Sequence, residues 1–172
     1  VNVTKIDANA FEGCAELLLM DVPNLTSIGA SAFKGCVKLT EMSGTAKVTS
    51  IGANAFEGCV ELTSISLFNV TTIGASAFKG CVKLADVDET LKLTTVNANA
   101  FEGCAELISI NLTKVTSIGA SAFKGCAKLE DLEDTASLKT IGANAFEGCT
   151  SIELFTIFKA TTSIGASAFS GW

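Results

Sequence analysis

Residues 28–39 read Ile28-Gly29-Ala30-Ser31-Ala32-Phe33-Lys34-Gly35-Cys36-Val37-Lys38-Leu39, and variants of this string recur along the whole chain. Its centre, A-[NS]-A-F-x-G-[CW], occurs at Phe11, Phe33, Phe56, Phe78, Phe101, Phe123, Phe146 and Phe169, so successive copies lie 22 or 23 residues apart. A period in this range means one coil of chain per copy. No single coil can bury its apolar face alone, so the copies must stack. The expectation is a repeat solenoid, right-handed, of eight coils, forming one domain over residues 1–172.

The columns of the stack follow from chemistry. After each Cys comes a strand-like stretch, as in Leu62-Thr63-Ser64-Ile65-Ser66-Leu67, expected to pair between coils as a parallel sheet with about 4.8 Å between strands. A second short extended run, such as Val70-Thr71-Thr72-Ile73, precedes the Gly. The Ala-rich, Gly-terminated segment that follows suits a helical or 3₁₀ turn. Phe, both Ala, Cys, the Leu after it and the Ile before the Gly point inward, with the Phe rings stacked about 5 Å apart. Even coils place Gly44, Glu89 and Asp134 where odd coils have Leu67, Leu112 and Ile157, and a bulge there would turn Thr45, Thr90 and Thr135 inward.

Composition restricts function. The 172 residues are 48% apolar, enough for one continuous core, and contain no His or Tyr. Every cation is a Lys, so ionisable side chains are limited to Lys, Asp, Glu and Cys. No nucleophile, base and orienting group can be assembled from these, and the chain reads as a non-enzyme with no cofactor. A net charge of −6 with scattered Lys argues against nucleic acid as a partner. No run of 18 apolar residues predicts a membrane span, and Val1 starts inside the repeat, as expected of a mature or excised piece.

The string I-G-A-S-A-F-K-G-C-V-K-L and its seven relatives resemble the BspA-like, or treponemal-type, leucine-rich repeats: Ile-Gly before the turn, Ala-Phe within it, Cys three residues after the Phe, and Leu three after the Cys. The resemblance covers the whole chain. It implies a curved solenoid of the kind found in bacterial and protist cell-surface or secreted proteins that take part in adhesion. Two departures stand out. The Pro usual after the strand survives only as Pro23, and the coils alternate in type.

Odd coils read A-N-A-F-E-G-C-x-E in most copies and even coils A-S-A-F-K-G-C-x-K. Two charge ladders follow: Glu12, Lys34, Glu57, Lys79, Glu102, Lys124, Glu147; and Glu16, Lys38, Glu61, Lys83, Glu106, Lys128. Each charge is expected to face its opposite on adjacent coils, as register control or as an inherited solvated face. Glu41, Asp86, Asp88, Glu130, Asp131 and Glu133 fall in the post-Cys strands of even coils, interleaved with Ser64, Ser109 and Asn111 of odd coils. These acids are the candidate sheet-face binding residues, whether as a hydrated face or as weak oxygen ligands for calcium. Successive acidic strands lie about 9.6 Å apart, too far to share one small ion.

The seven Cys share one column and are expected to be buried free thiols. Parallel Cβ vectors oppose disulfides, and the absence of C-x-x-C opposes zinc. Four N-x-T sequons, at Asn2, Asn24, Asn69 and Asn111, are candidate N-glycosylation sites; the first three share a column, expected to be exposed, with Lys47, Lys92 and Lys114. Neither end shows a polar cap, and Trp172 replaces the eighth Cys. The leading expectation is an extracellular or cell-surface interaction scaffold for a protein or glycan ligand. The alternative is a filament or surface-layer subunit assembled end to end through its open coils. The narrow alphabet also fits a consensus design, although irregular passages such as residues 16–22 favour a natural, recently duplicated gene.

Overall fold

The computed structural model describes residues 2–87, 90–152 and 159–171; Asp88, Glu89, Ile157 and Trp172, singled out above, lie outside them. Eight two-residue strands form the continuous spine: β1 (Lys5–Ile6), β3 (Ser27–Ile28), β5 (Ser50–Ile51), β6 (Thr72–Ile73), β7 (Thr95–Val96), β9 (Ser117–Ile118), β11 (Thr140–Ile141) and β12 (Ser163–Ile164). They pair in parallel in that order, one per coil. The register runs Ile6, Ile28, Ile51, Ile73, Val96, Ile118, Ile141, Ile164. β-Branched Thr, Ile and Val suit the pleat, and the Ile or Val of each coil as far as Ile141 turns inward and is buried.

The post-Cys stretches contribute less sheet than their sequence suggests. β2 (Leu19–Asp21) pairs with β4 (Glu41–Ser43), β8 (Ser109–Asn111) pairs with β10 (Asp131–Glu133), and single bridges join Glu41 to Ser64 and Ser64 to Asp86. The extra residue of even coils explains the shortness. Gly44 and Asp134 leave the strand with φ of +75° and +46°, ending the common register. The same departure buries Thr45 and Thr135, and Thr90 is buried as well, the inward placement expected of these three. The Thr45 hydroxyl donates to the Ser66 carbonyl at 3.3 Å, and that of Thr90 to the Asn111 carbonyl.

The Ala-Phe segment is a chain of tight turns. Its hydrogen bonds have 3₁₀ spacing, as in Lys34 N to Ser31 O (3.1 Å) and Cys36 N to Phe33 O (3.0 Å). No helix propagates, because the Asn or Ser of every coil is left-handed, with φ between +54° and +60°. The one 3₁₀ helix among the described residues is Thr45–Lys47. Turns stack by backbone bonds of opposite polarity to those in the sheet: Phe33 N donates forward to Ala55 O at 2.7 Å, while Gly52 N donates backward to Ile28 O at 2.8 Å.

The core is columnar, and only one of the two Ala in each turn joins it: Ala32, Ala55, Ala77, Ala100, Ala122 and Ala145 are buried, whereas Ala30, Ala53, Ala75 and Ala120, expected inward, are exposed, because the left-handed residue between the two Ala turns them to different sides. Adjacent Phe rings are parallel and offset, with centroids 5.2–5.5 Å apart. The thiols are free, and six are buried; Cys14, in the outermost described turn, is exposed. The buried ones do more than fill space. Each Cys from Cys36 to Cys149 donates its S–H to the Phe carbonyl of the preceding coil, at 3.0–3.2 Å.

Candidate binding surface

The outward side of the post-Cys strands carries three columns, at four, five and seven residues after the Cys; most described side chains of the first two are exposed, whereas in the third Asp21 is exposed and Ser43, Ser66 and Asn111 are half-buried. The sequence-derived acids divide among them. Glu41, Asp86 and Asp131 occupy the second column, at the same offset as Leu19, Ser64 and Ser109. Glu130 is in the first and Glu133 in the third, paired with Asn111. Glu41, Asp86 and Glu130 are exposed. Successive acids in the second column are separated by a Ser-bearing coil, so they line one face without converging. Among the described residues no group of three acidic or Cys side chains is placed to hold a metal ion.

Exposed apolar side chains on this same face were not anticipated. Leu18 and Leu19 are 57% and 66% exposed and Ile108 50%, in columns that elsewhere hold mostly Thr, Ser or acids. Val37 and Val82 join them one residue after the Cys. Leu18, Val37, Thr40 and Val60 line a shallow open groove flanked by Lys38 and Glu61. The signal was present in the sequence as departures from the column consensus, which is difficult to separate from drift without knowing which columns face outward.

The charge ladders form a complete alternating set. Lys38, Lys83 and Lys128 pair backward with Glu16, Glu61 and Glu106 at 2.7, 2.6 and 2.5 Å. Lys34, Lys79 and Lys124 pair forward with Glu57, Glu102 and Glu147 at 2.9, 2.9 and 3.0 Å. Every junction from coil 1 to coil 7 therefore has one ion pair. The forward pairs also explain the Asn of odd coils: Asn54, Asn99 and Asn144 donate Nδ2 to the Glu three residues on, at 2.5–2.6 Å, fixing the carboxylate that meets the Lys. Lys34 and Asn54 hold the Glu57 carboxyl below the usual carboxylate range, against the opposing effect of burial.

The sequon column is less open than its sequence implied. Asn2 is exposed, but Asn24 and Asn69 are half-buried, and Lys47 and Lys92 donate to their Oδ1 atoms at 2.8 and 2.5 Å. Asn69 Nδ2 donates to the Ala46 carbonyl at 2.7 Å. Asn111 lies in β8, outside this column, and its Oδ1 accepts from Thr113 N and Oγ1 at 3.0 and 2.6 Å.

The BspA-type leucine-rich repeat model, in six copies, matches residues 1–108 and 49–172, which together span the chain. The chain belongs to the BspA-type leucine-rich repeat family. Solved structures agree with this assignment. A leucine-rich repeat protein from Eubacterium ventriosum superposes with a TM-score of 0.76 at 28% identity, over 89% of this chain and 42% of its own. A leucine-rich cell-surface protein from Faecalibacterium prausnitzii gives 0.59 at 28% identity, over 98% and 55%. The leucine-rich repeat protein of T. pallidum gives 0.55 at 28% identity, over 75% and 72%. This BspA-type chain thus spans about half the length of the first two. No curated protein matches it. Among the described residues of this repeat protein, no helix is long and apolar enough to cross a membrane.

Proposed function

We propose that this BspA-type solenoid is an extracellular or cell-surface, non-catalytic interaction scaffold that engages a protein or glycan through the outward side of its post-Cys strands. The observation that carries this reading is the mixture on that face: Leu18, Leu19 and Ile108 are exposed beside Glu41, Asp86 and Glu130 on a stacked backbone. Exposed apolar anchors rimmed by polar groups are what an interface needs and what an idle solvated face lacks. A relative at the surface of Faecalibacterium prausnitzii supports the location. The triple variant Leu18→Ser, Leu19→Ser, Ile108→Ser should fold normally and lose binding in an array of matrix proteins and glycans. An array hit kept in full by the triple variant would place the contact elsewhere, and a chain binding nothing on the array would overturn the reading.

The sequons fit the same location. Asn2, Asn24, Asn69 and Asn111 serve as glycan acceptors if the chain passes through a eukaryotic secretory route. Exposure favours Asn2, while the Lys contacts at Asn24 and Asn69 disfavour occupancy there. Intact-mass measurement of chain secreted from eukaryotic cells distinguishes the sites; unmodified mass would remove all four.

A further inference from the structure

The junction between coils 4 and 5 differs from the other six on the continuous sheet and from the four others described on the post-Cys side. In the column after the inward Ile or Val, coil 1 has Asp7, coils 2–4 and 6–8 have Gly29, Gly52, Gly74, Gly119, Gly142 and Gly165, and coil 5 has Asn97. The Gly is a requirement of close approach, since a Cβ at Gly74 would lie 2.3 Å from the Ala53 nitrogen of the coil below. Asn97 carries that Cβ, so the edge of coil 5 must stand off from coil 4. At the six other junctions the Gly N–H donates to the Ile or Val carbonyl below at 2.7–2.8 Å. At this one the Asn97 side chain reaches back instead, its Nδ2 donating to Ile73 O at 2.6 Å. Strand register shrinks to the single pair Ile73–Val96, where every other junction of this sheet has two.

On the other sheet the equivalent backbone bonds measure 2.9 Å (Thr40 to Leu18), 3.2 Å (Thr63 to Thr40), 3.0 Å (Ala85 to Thr63), 3.4 Å (Ile108 to Ala85) and 2.9 Å (Glu130 to Ile108). The longest crosses the same junction. The turn side is unchanged there: Phe78 N donates to Ala100 O at 2.8 Å, the Phe78 and Phe101 rings are 5.3 Å apart, and Lys79 pairs with Glu102 at 2.9 Å.

We propose that the coil 4–5 junction is a built-in hinge, at which the two sheets part about the stacked turns as a spine and divide the solenoid into a block of coils 1–4 and a block of coils 5–8. The Thr90 hydroxyl, which reaches the Asn111 carbonyl across the same junction, keeps the parting small. The consequence is a binding face that tilts in two halves and can follow partners of different curvature. Local opening of this kind is read by amide exchange.

The test is residue-resolved amide exchange of the full chain and of its Asn97→Gly variant. The Ile108 amide should exchange about tenfold faster than those of Ala85 and Glu130 in the parent. In the variant it should slow to match them, although residue 97 lies on the opposite sheet. That long-range repair is what a merely missing local bond at residue 97 would not produce. Ile108 protected as well as its neighbours in the parent, or left fast by Asn97→Gly, overturns the hinge.

Discussion

A buried thiol that cannot ionise is a pH-dependent contribution to stability, and this chain stacks six of them. Burial pushes the Cys59 and Cys149 thiols up to about 12 and those of Cys81, Cys104 and Cys126 well above their ordinary value. Folded values above unfolded ones mean that stabilisation is complete below the unfolded thiol pKa of about 8.5 and declines as pH rises past it, because the unfolded chain then releases protons that the folded chain retains. The urea midpoint should therefore fall steadily between about pH 7.5 and 9.5. Cys81→Ala should show a shallower fall, together with a lower starting midpoint from the lost donor to Phe56 O. A midpoint independent of pH would mean that the unfolded thiols are shielded too. The column was legible in the sequence because Cys recurs at a fixed offset. The hydrogen bond was not, since it depends on where the preceding Phe carbonyl points.

At the scale of the turn, each Ala-Phe element is held by its ring, its left-handed residue and its charge. Phe78 is fully buried between rings at 5.2 and 5.3 Å, so Phe78→Ala should cost about 3–5 kcal/mol in a denaturant titration; a cost under 1 would mean the stack collapses to fill the gap. Asn54 combines a φ of +59° with its bond to Glu57. Ala tolerates that backbone poorly, so Asn54→Ala should cost about 1–2 kcal/mol, whereas Asn54→Gly should cost less by relieving φ while losing only the carboxylate contact. Equal losses would assign the role of Asn54 to the side chain alone. The Phe column and the Ala column directly before it could be read from periodicity, but the first Ala of each turn, expected inward as well, is exposed or half-buried. The turn conformation could not be read this way, because six Ala-rich residues carry a helix signal that only the left-handed Asn or Ser overrules. The candidate surface was half legible: Glu41 and Asp86 declare themselves as charges, but Leu18, Leu19 and Ile108 resemble core residues until the exposed columns are known.

Across the whole molecule, the alternation of charge sets the unit by which the solenoid can lengthen or shorten. Each even coil reaches backward with one Lys and forward with the other, so removing two consecutive coils leaves every junction from coil 1 to coil 7 with an ion pair, while removing one brings like charges together. Excising Gly29 through Ile73, 45 residues, joins Ile28 to Gly74 and lets Lys83 meet Glu16. Excising Gly52 through Ile73, 22 residues, joins Ile51 to Gly74 and sets Lys34 and Lys38 against Lys79 and Lys83. Both products keep Gly at the joint and Asn97 in place, so close packing and the coil 4–5 junction are common to them. The single-coil product has one more coil to bury, which on nearest-neighbour additivity should make it the more stable. Exposed pairs are each worth about 0–1 kcal/mol, and like charges cost a similar amount. Both products keep four ion pairs, so the two repulsions are what separates them electrostatically, and they should offset part of that coil at low salt. In about 1 M salt the screening length falls to roughly 3 Å, and the single-coil product should gain stability relative to the two-coil product. A stability difference that does not change with salt would show that the ladders are a passive solvated face, and that register rests on the Phe, Cys and Gly columns alone.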